Sequence, residues 1–107
     1  MAARTLINVP KTAKRGEVVQ IKTLISHIME TGFRHDDVGR PIPRDIITSF
    51  VCTYDGETVF DAILYQAIAA NPFITFHTVA TRSGTFTFKW TGDNGFTQEA
   101  IASITVE

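Results

Sequence analysis

Ser83–Gly95 reads SGTFTFKWTGDNG. In an extended chain, Phe86, Phe88 and Trp90 fall on one side, and Thr85, Thr87 and Lys89 on the other. Such alternation marks a strand with one buried and one wet face. Ser83-Gly84 and Asp93-Asn94-Gly95 bound it with turn residues. The stretch predicts a strand over Thr85–Thr91 with a turn at each end.

The same pattern recurs outward from it. Phe96 to Val106 reads as the last strand, with an ambiguous register around Ala100 to Ala102. Upstream, Phe73 to Ala80 is a strand with Ile74, Phe76 and Ala80 on one face. Ile46, Thr48, Phe50, Cys52 and Tyr54 share a face of another. Asp55-Gly56 then predicts a type I′ hairpin, which wants positive φ at both central residues. Glu57 to Leu64 is the return strand. Tyr65 to Asn71 is read as a single helical turn through Gln66, Ala67, Ile68, Ala69 and Ala70, which Pro72 stops. Near the start, Arg4 to Val9 is a short strand closed by Pro10, and Lys11 to Gly16 a basic turn. Glu17 to Ile25 places Val19, Ile21, Thr23 and Ile25 on one face, with Gln20 and Lys22 on a wetter one. The sum is an all-β chain, an immunoglobulin-like antiparallel β-sandwich of about seven strands, with residues 1–107 as one domain. The Cys…Trp…Cys set of antibody domains is absent, so the expectation concerns architecture alone.

Composition narrows the function classes. Ten basic and eleven acidic residues leave a net charge of -1. Nucleic-acid binding usually needs a strongly basic face, so it is not expected, and neither is an anionic membrane surface. No apolar run approaches the ~20 residues of a membrane span. The start, Met1 to Leu6, lacks the apolar core of a secretory signal, which by itself reads as cytoplasmic. Cys52 is the only cysteine, so no internal disulfide is available and the redox compartment is not revealed.

The connection from His27 to Arg44 is long, charged and rich in glycine and proline. Loops of this length in compact domains tend to be functional. Pro41 and Pro43 stiffen its exit by fixing φ. Ile28, Met29, Phe33 and Ile42 give it apolar side chains that an idle loop would not need.

Catalytic chemistry finds no constellation. His27 lacks a neighbouring Ser or Cys nucleophile and reads as a loop-fixing hydrogen bonder or an interface residue. A blue-copper site needs two His, a Cys and a weak axial ligand held together. His27, Met29, His35, Cys52 and His77 are scattered instead, so no metal and no cofactor are expected. Cys52 shares an apolar strand face with Phe50 and Tyr54, which favours core packing over a reactive thiol. Glu30 stands out among the acids, with a structural role in the loop as the plainer alternative.

Ile21 to Cys52 reads IKTLISHIMETGFRHDDVGRPIPRDIITSFVC. The order Gly16-Glu17-Val18, Ile21 to His27, Met29-Glu30-Thr31-Gly32, Arg34, Gly39, Ile42-Pro43-Arg44 and Ile46-Ile47 resembles the SoxZ family of bacterial thiosulfate oxidation. Asn71-Pro72-Phe73, Gly84 to Phe88 and Trp90 extend the resemblance over nearly the whole chain. Two positions depart from the family's pattern: Ile28 stands where proline or lysine is frequent, and Thr48 where asparagine is usual. The first bears on loop rigidity.

That resemblance implies a non-enzymatic sandwich paired with SoxY. In such a complex the partner carries sulfur intermediates on a cysteine in a glycine-rich C-terminal arm. This chain ends Ser103 to Glu107 without a Gly-Gly-Cys-Gly-Gly tail, as expected of the Z-like member. It implies a periplasmic location reached bound to the partner's export signal, and transient contact with other Sox enzymes. Met29, Phe33 and Ile42 are the expected apolar anchors for the partner, with Glu30, Arg34 and Arg44 as polar surround. The competing expectation is that the anchors fold back onto this chain's own core. Left uncovered, a partner surface would favour self-association. Two rival readings stand beside this one: a free-standing immunoglobulin-like binding module, and a redox or metal enzyme.

Overall fold

The computed structural model describes residues 3–107. The N-terminal signal reading falls partly on Met1 and Ala2, outside the described residues. Eight strands form: β1 (Thr5–Asn8), β2 (Thr12–Ala13), β3 (Val18–Ile25), β4 (Ile47–Tyr54), β5 (Glu57–Ile63), β6 (Phe73–Val79), β7 (Gly84–Gly92) and β8 (Thr97–Val106). They make two sheets, ordered β1-β3-β6 and β2-β8-β7-β4-β5. All pairings are antiparallel except β2 with β8. The expected immunoglobulin-like sandwich is therefore present.

Alternation decides what goes inside. Val19, Ile21, Thr23 and Ile25 of β3 face Phe50, Cys52 and Tyr54 of β4 and Phe86, Phe88 and Trp90 of β7 across the core, and all are buried. Thr23 is the buried polar residue of this set, and its hydroxyl donates to the Ile74 carbonyl at 3.0 Å. Aromatic rings carry much of the packing. Phe50 lies 5.1 Å from Trp90 and 6.2 Å from Phe76, and Phe60 stacks on Phe76 at 4.5 Å. Such pairs contribute about 0.5–1.5 kcal/mol each beyond their burial. They tie the two sheets into a stiff body.

Four readings of the sequence are refined. The Ala100–Ala102 ambiguity resolves with Ala100 opposite Phe88 and Ala102 opposite Phe86, so Ile101 points outward. At the start of β4 the register shifts between Ile47 and Ser49. The extra residue there is Thr48, whose hydroxyl donates to the Thr91 carbonyl at 3.2 Å. A bulge of this kind sets two residues against one, so Ile46 and Ile47 both enter the core. The basic segment after Pro10 opens with β2, a two-residue strand read as turn because Thr12-Ala13 is too short to show a period. Finally, Tyr65–Asn71 forms one hydrogen-bonded turn, Ile68 N–H to Tyr65 carbonyl at 3.2 Å, and no helix. The hairpin at Asp55-Gly56 forms as expected, with φ of 49° and 87°.

Candidate partner-binding site

The connection between β3 and β4 is a ribbon with bonds of its own. Glu30 and Asp45 exchange both backbone hydrogen bonds at 2.8 Å. Further out, Ile42 N–H donates to the Arg34 carbonyl at 2.9 Å, and Asp36 N–H to the Arg40 carbonyl at 2.8 Å. Asp36 closes the tip: its carboxylate accepts from the backbone N–H of Val38 and Arg40. Those donors, Arg40 first, hold its carboxyl below the ordinary range.

His27 and Met29 anchor the base. The His27 ring accepts the Met29 N–H at its Nδ1 (3.0 Å), and its Nε2 lies 3.8 Å from Asp45. Its ring packs edge-to-face with that of Phe96, the centroids 4.8 Å apart. Asn71 clasps its backbone from both sides, accepting the His27 N–H at 2.9 Å and donating to its carbonyl at 2.8 Å. Met29 adopts a left-handed φ of 50°, uncommon outside glycine. That backbone turns its side chain into the core, where it is 4% exposed. Its sulfur accepts the buried Ile47 N–H at 3.3 Å. Met29 is thus part of this chain's own interior, and the expectation of an apolar anchor for a partner is corrected at this residue. The His27 side chain is likewise covered, so its role is the loop-fixing one.

The remaining candidates divide. Glu30 pairs with Arg34, Nε to Oε2 at 3.1 Å, and the guanidinium holds its carboxyl below the usual glutamate value. Arg44 belongs to a different pair. It makes a two-pronged contact with Asp93, both bonds 2.8 Å. Arg44 and the Ile46 N–H together hold Asp93 below the ordinary aspartate value. Phe33 points outward and is 73% exposed. Ile42 is half-buried and shares a shallow cleft of about 420 Å³ with Arg34, Asp36 and Arg40. Phe33, Arg34 and Ile42 therefore remain accessible on the ribbon, while His27 and Met29 do not.

Sequence reasoning missed Asp93, Asp45 and Asn71 as the residues that pin the loop. Asp93 sits 49 positions from Arg44, so no local spacing announces the pair. Cys52 is fully buried, and desolvation pushes its thiol up to about 12. Among the described residues, no three of His, Cys, Asp and Glu gather closely enough to hold a metal ion. Nor, among the described residues, is any helix long and apolar enough to cross a membrane.

Two packed, mainly antiparallel sheets around an aromatic core, with a clasped ribbon at one end, define an immunoglobulin-like β-sandwich. Solved structures share this fold. A variant superoxide reductase (neelaredoxin) from Ignicoccus hospitalis aligns with a TM-score of 0.77 at 17% identity, covering 99% of this chain and 82% of that one. The sulfur carrier protein SoxY from Chlorobium limicola f thiosulfatophilum aligns with a TM-score of 0.66 at 12% identity, covering 96% and 78%. At these identities the likeness is one of fold. No curated protein sequence matches the chain.

Residues 7–103 match the family of the sulphur oxidation protein SoxZ, and the chain belongs to that family. It is a component of Sox sulfur oxidation.

Proposed function

We propose that this chain is the non-catalytic subunit of a periplasmic SoxYZ sulfur-carrier heterodimer, acting in thiosulfate oxidation as one folded unit over residues 1–107. The observation that carries the reading is the family match over residues 7–103. The shared fold with a SoxY adds that the two subunits would be similar in build.

The structure of this chain fits a support better than a carrier. A carrier thiol must reach solvent as a thiolate. Cys52 is fully buried and its thiol is pushed up to about 12, so a sulfur adduct would have neither entry nor nucleophile here. SoxY would hold the intermediates on the cysteine of its C-terminal arm, and this sandwich would give that arm a fixed base. A swinging arm delivers its load best from a body that does not deform, and the interleaved aromatics supply that stiffness. The ribbon would add contacts through Phe33 and Ile42 with Arg34 beside them, held in place by His27, Met29, Glu30 and Arg44. Enzymes that work on the carried sulfur would meet this surface transiently. Export would occur as a complex on the partner's signal.

Co-expression with SoxY, each subunit tagged separately, tests the proposal. A stable complex of equal stoichiometry, found in the periplasmic fraction only when SoxY keeps its signal, is expected. A chain that stays monomeric and indifferent to SoxY would instead be a free-standing binding module. Turnover of a sulfur compound by the isolated chain would overturn the non-catalytic assignment.

A further inference from the structure

We propose that the partner subunit seats on the outward face of the β1-β3-β6 sheet and presents there an apolar ridge flanked by carboxylates. The inference rests on the pairing reading above and adds where the partner sits and what it must carry.

Register defines the face. Leu6 of β1 lies opposite Leu24 of β3, which lies opposite Phe73 of β6. All three belong to the outward set of their strands, and Leu6 (64% exposed) and Phe73 (61%) stand largely in solvent. They form one apolar row across the sheet. An open depression of about 320 Å³ follows it, bounded by Leu6, Lys22, Leu24 and Phe73. At the far end of the same face Val18 lies opposite Val79, again exposed. A solvated sheet would present polar residues at these positions.

The other outer face is mixed. On the five-stranded sheet the outward rows run Ile63, Ser49, Thr91, Thr97 and Asp61, Val51, Lys89, Glu99. The exposed apolar residues there, Ile63 and Ile101, stand singly among polar and charged neighbours. Only the three-stranded sheet shows an apolar row from edge to edge.

Charge selects the kind of occupant. The outward positions of β1, β3 and β6 include Lys22, and Arg4 continues the β1 alternation. None of them is Asp or Glu, although the chain as a whole is at -1. A second copy docked face to face would set Lys22 and Arg4 against their own kind, which is unfavourable. A different subunit with carboxylates around an apolar ridge satisfies both features.

The edge points the same way. β6 is an edge strand of seven residues, FITFHTV, with no proline and no lysine. An unguarded edge of that kind invites pairing unless something covers it. Size sets the extent of cover. Three strands, of which β1 is only four residues long, span at most roughly 14 by 23 Å, or about 300 Å². A stable interface needs about 800 Å² from each partner. The footprint must therefore run past Phe73. The His27–Asn71 clasp puts exposed Ile28 beside that end of the row, so the natural extension is toward the ribbon.

The test is binding of purified SoxY to wild type, Phe73→Ser, Lys22→Glu and Ile101→Ser. Ile101 is exposed on the opposite sheet and serves as control. Melting curves confirm that each variant folds, as expected for outward side chains. Phe73→Ser should weaken binding by about tenfold or more. Lys22→Glu should weaken it too, with a loss that shrinks at high salt. Ile101→Ser should bind as wild type does. If wild type binds SoxY and the Phe73 and Lys22 variants bind equally well, the face is wrong and the pairing stands. If wild type itself does not bind, the pairing reading fails and the face assignment falls with it. A homodimer that Phe73→Ser dissolves and SoxY cannot displace would make a second copy the occupant and overturn the proposal.

Discussion

Single side chains decide whether the β3–β4 connection is an idle loop or a built one, and Met29 is the clearest case. Its left-handed backbone sends an apolar side chain inward, and its sulfur accepts the buried Ile47 N–H. Met29→Ala removes buried volume and leaves that donor without its acceptor. The expected cost is about 2–5 kcal/mol, read as a fall in the urea midpoint. Met29→Leu keeps the volume and loses only the weak acceptor, so it should cost about 1 kcal/mol. A Met29→Leu variant as stable as wild type would mean that packing alone is at stake, whereas equal losses in the two variants would single out the sulfur acceptor. Cys52 supplies a second test at this scale. Its thiol is both covered and raised to about 12. Native protein at pH 8 should react with a thiol reagent on the order of 100-fold more slowly than unfolded protein. Rapid labelling of the folded chain would reopen a chemical role for it.

At the scale of elements, the ribbon is where backbone geometry and charge meet. Gly32 sits at φ +88°, and a Cβ there would lie 3.0 Å from the Arg44 Cβ on the facing leg. Gly39 at the tip has φ +83° with open space around it. Gly32→Ala should therefore cost about 1–3 kcal/mol through strain and collision together. Gly39→Ala should cost only about 1 kcal/mol, from the left-handed backbone alone. Thermal melts of the two variants check the ordering. The ribbon's carboxylates predict an acid response as well. Glu30, Asp36 and Asp93 are all held below their ordinary values of 4.5, 3.8 and 3.8. A carboxyl with a depressed folded value stabilises the fold above its unfolded value and loses that contribution as pH falls through the folded one. Amide exchange at Glu30 and Asp45 should therefore accelerate as pH drops from about 4.5 downward, beyond the intrinsic change, while core amides of β7 hold. Arg44→Met should leave Asp93 nearer its ordinary value and move part of that loosening to higher pH. The strands themselves were open to reading from pattern, since Phe86, Phe88 and Trp90 repeat at the period of the pleat. The ribbon was not, because its pins are Arg44 with Asp93 and His27 with Asn71, contacts between segments far apart in the chain. The motif Met29-Glu30-Thr31-Gly32 marked the right place, but whether Met29 faces outward or inward depends on one φ angle. Leu24 and Val18, apolar on the outward side of β3, were the readable sign of the exposed sheet face. They were masked by Gln20 and Lys22 between them.

The whole molecule is longer than its mass requires. Its Cα radius of gyration is 16.2 Å and its extents are 60 × 23 × 19 Å. A compact chain of this length would have a radius near 13 Å. An elongate sandwich with a ribbon that bonds mainly to itself accounts for the excess. From Phe33 to Pro41 no residue is buried, and the backbone hydrogen bonds there stay within the ribbon. The outer ribbon therefore contributes little to the sandwich core, and its removal separates stability from binding. Replacing Phe33–Ile42 with two glycines keeps the Glu30–Asp45 bridge and the Arg44–Asp93 pair that close the base. The shortened protein should melt within about 4 °C of wild type, since a change of 1 kcal/mol moves a domain of this size by about 4–8 °C. Its radius of gyration in solution scattering should fall. Affinity for SoxY should drop if Phe33 and the outer ribbon touch the partner as proposed, since loss of ordered contact area is felt mainly as faster dissociation. Unchanged affinity with a smaller radius would confine the interface to the sheet face and its Ile28 corner. Unfolding on excision would show instead that the ribbon, for all its exposure, is a structural brace for the end of the sandwich where His27, Phe96 and Asp93 meet.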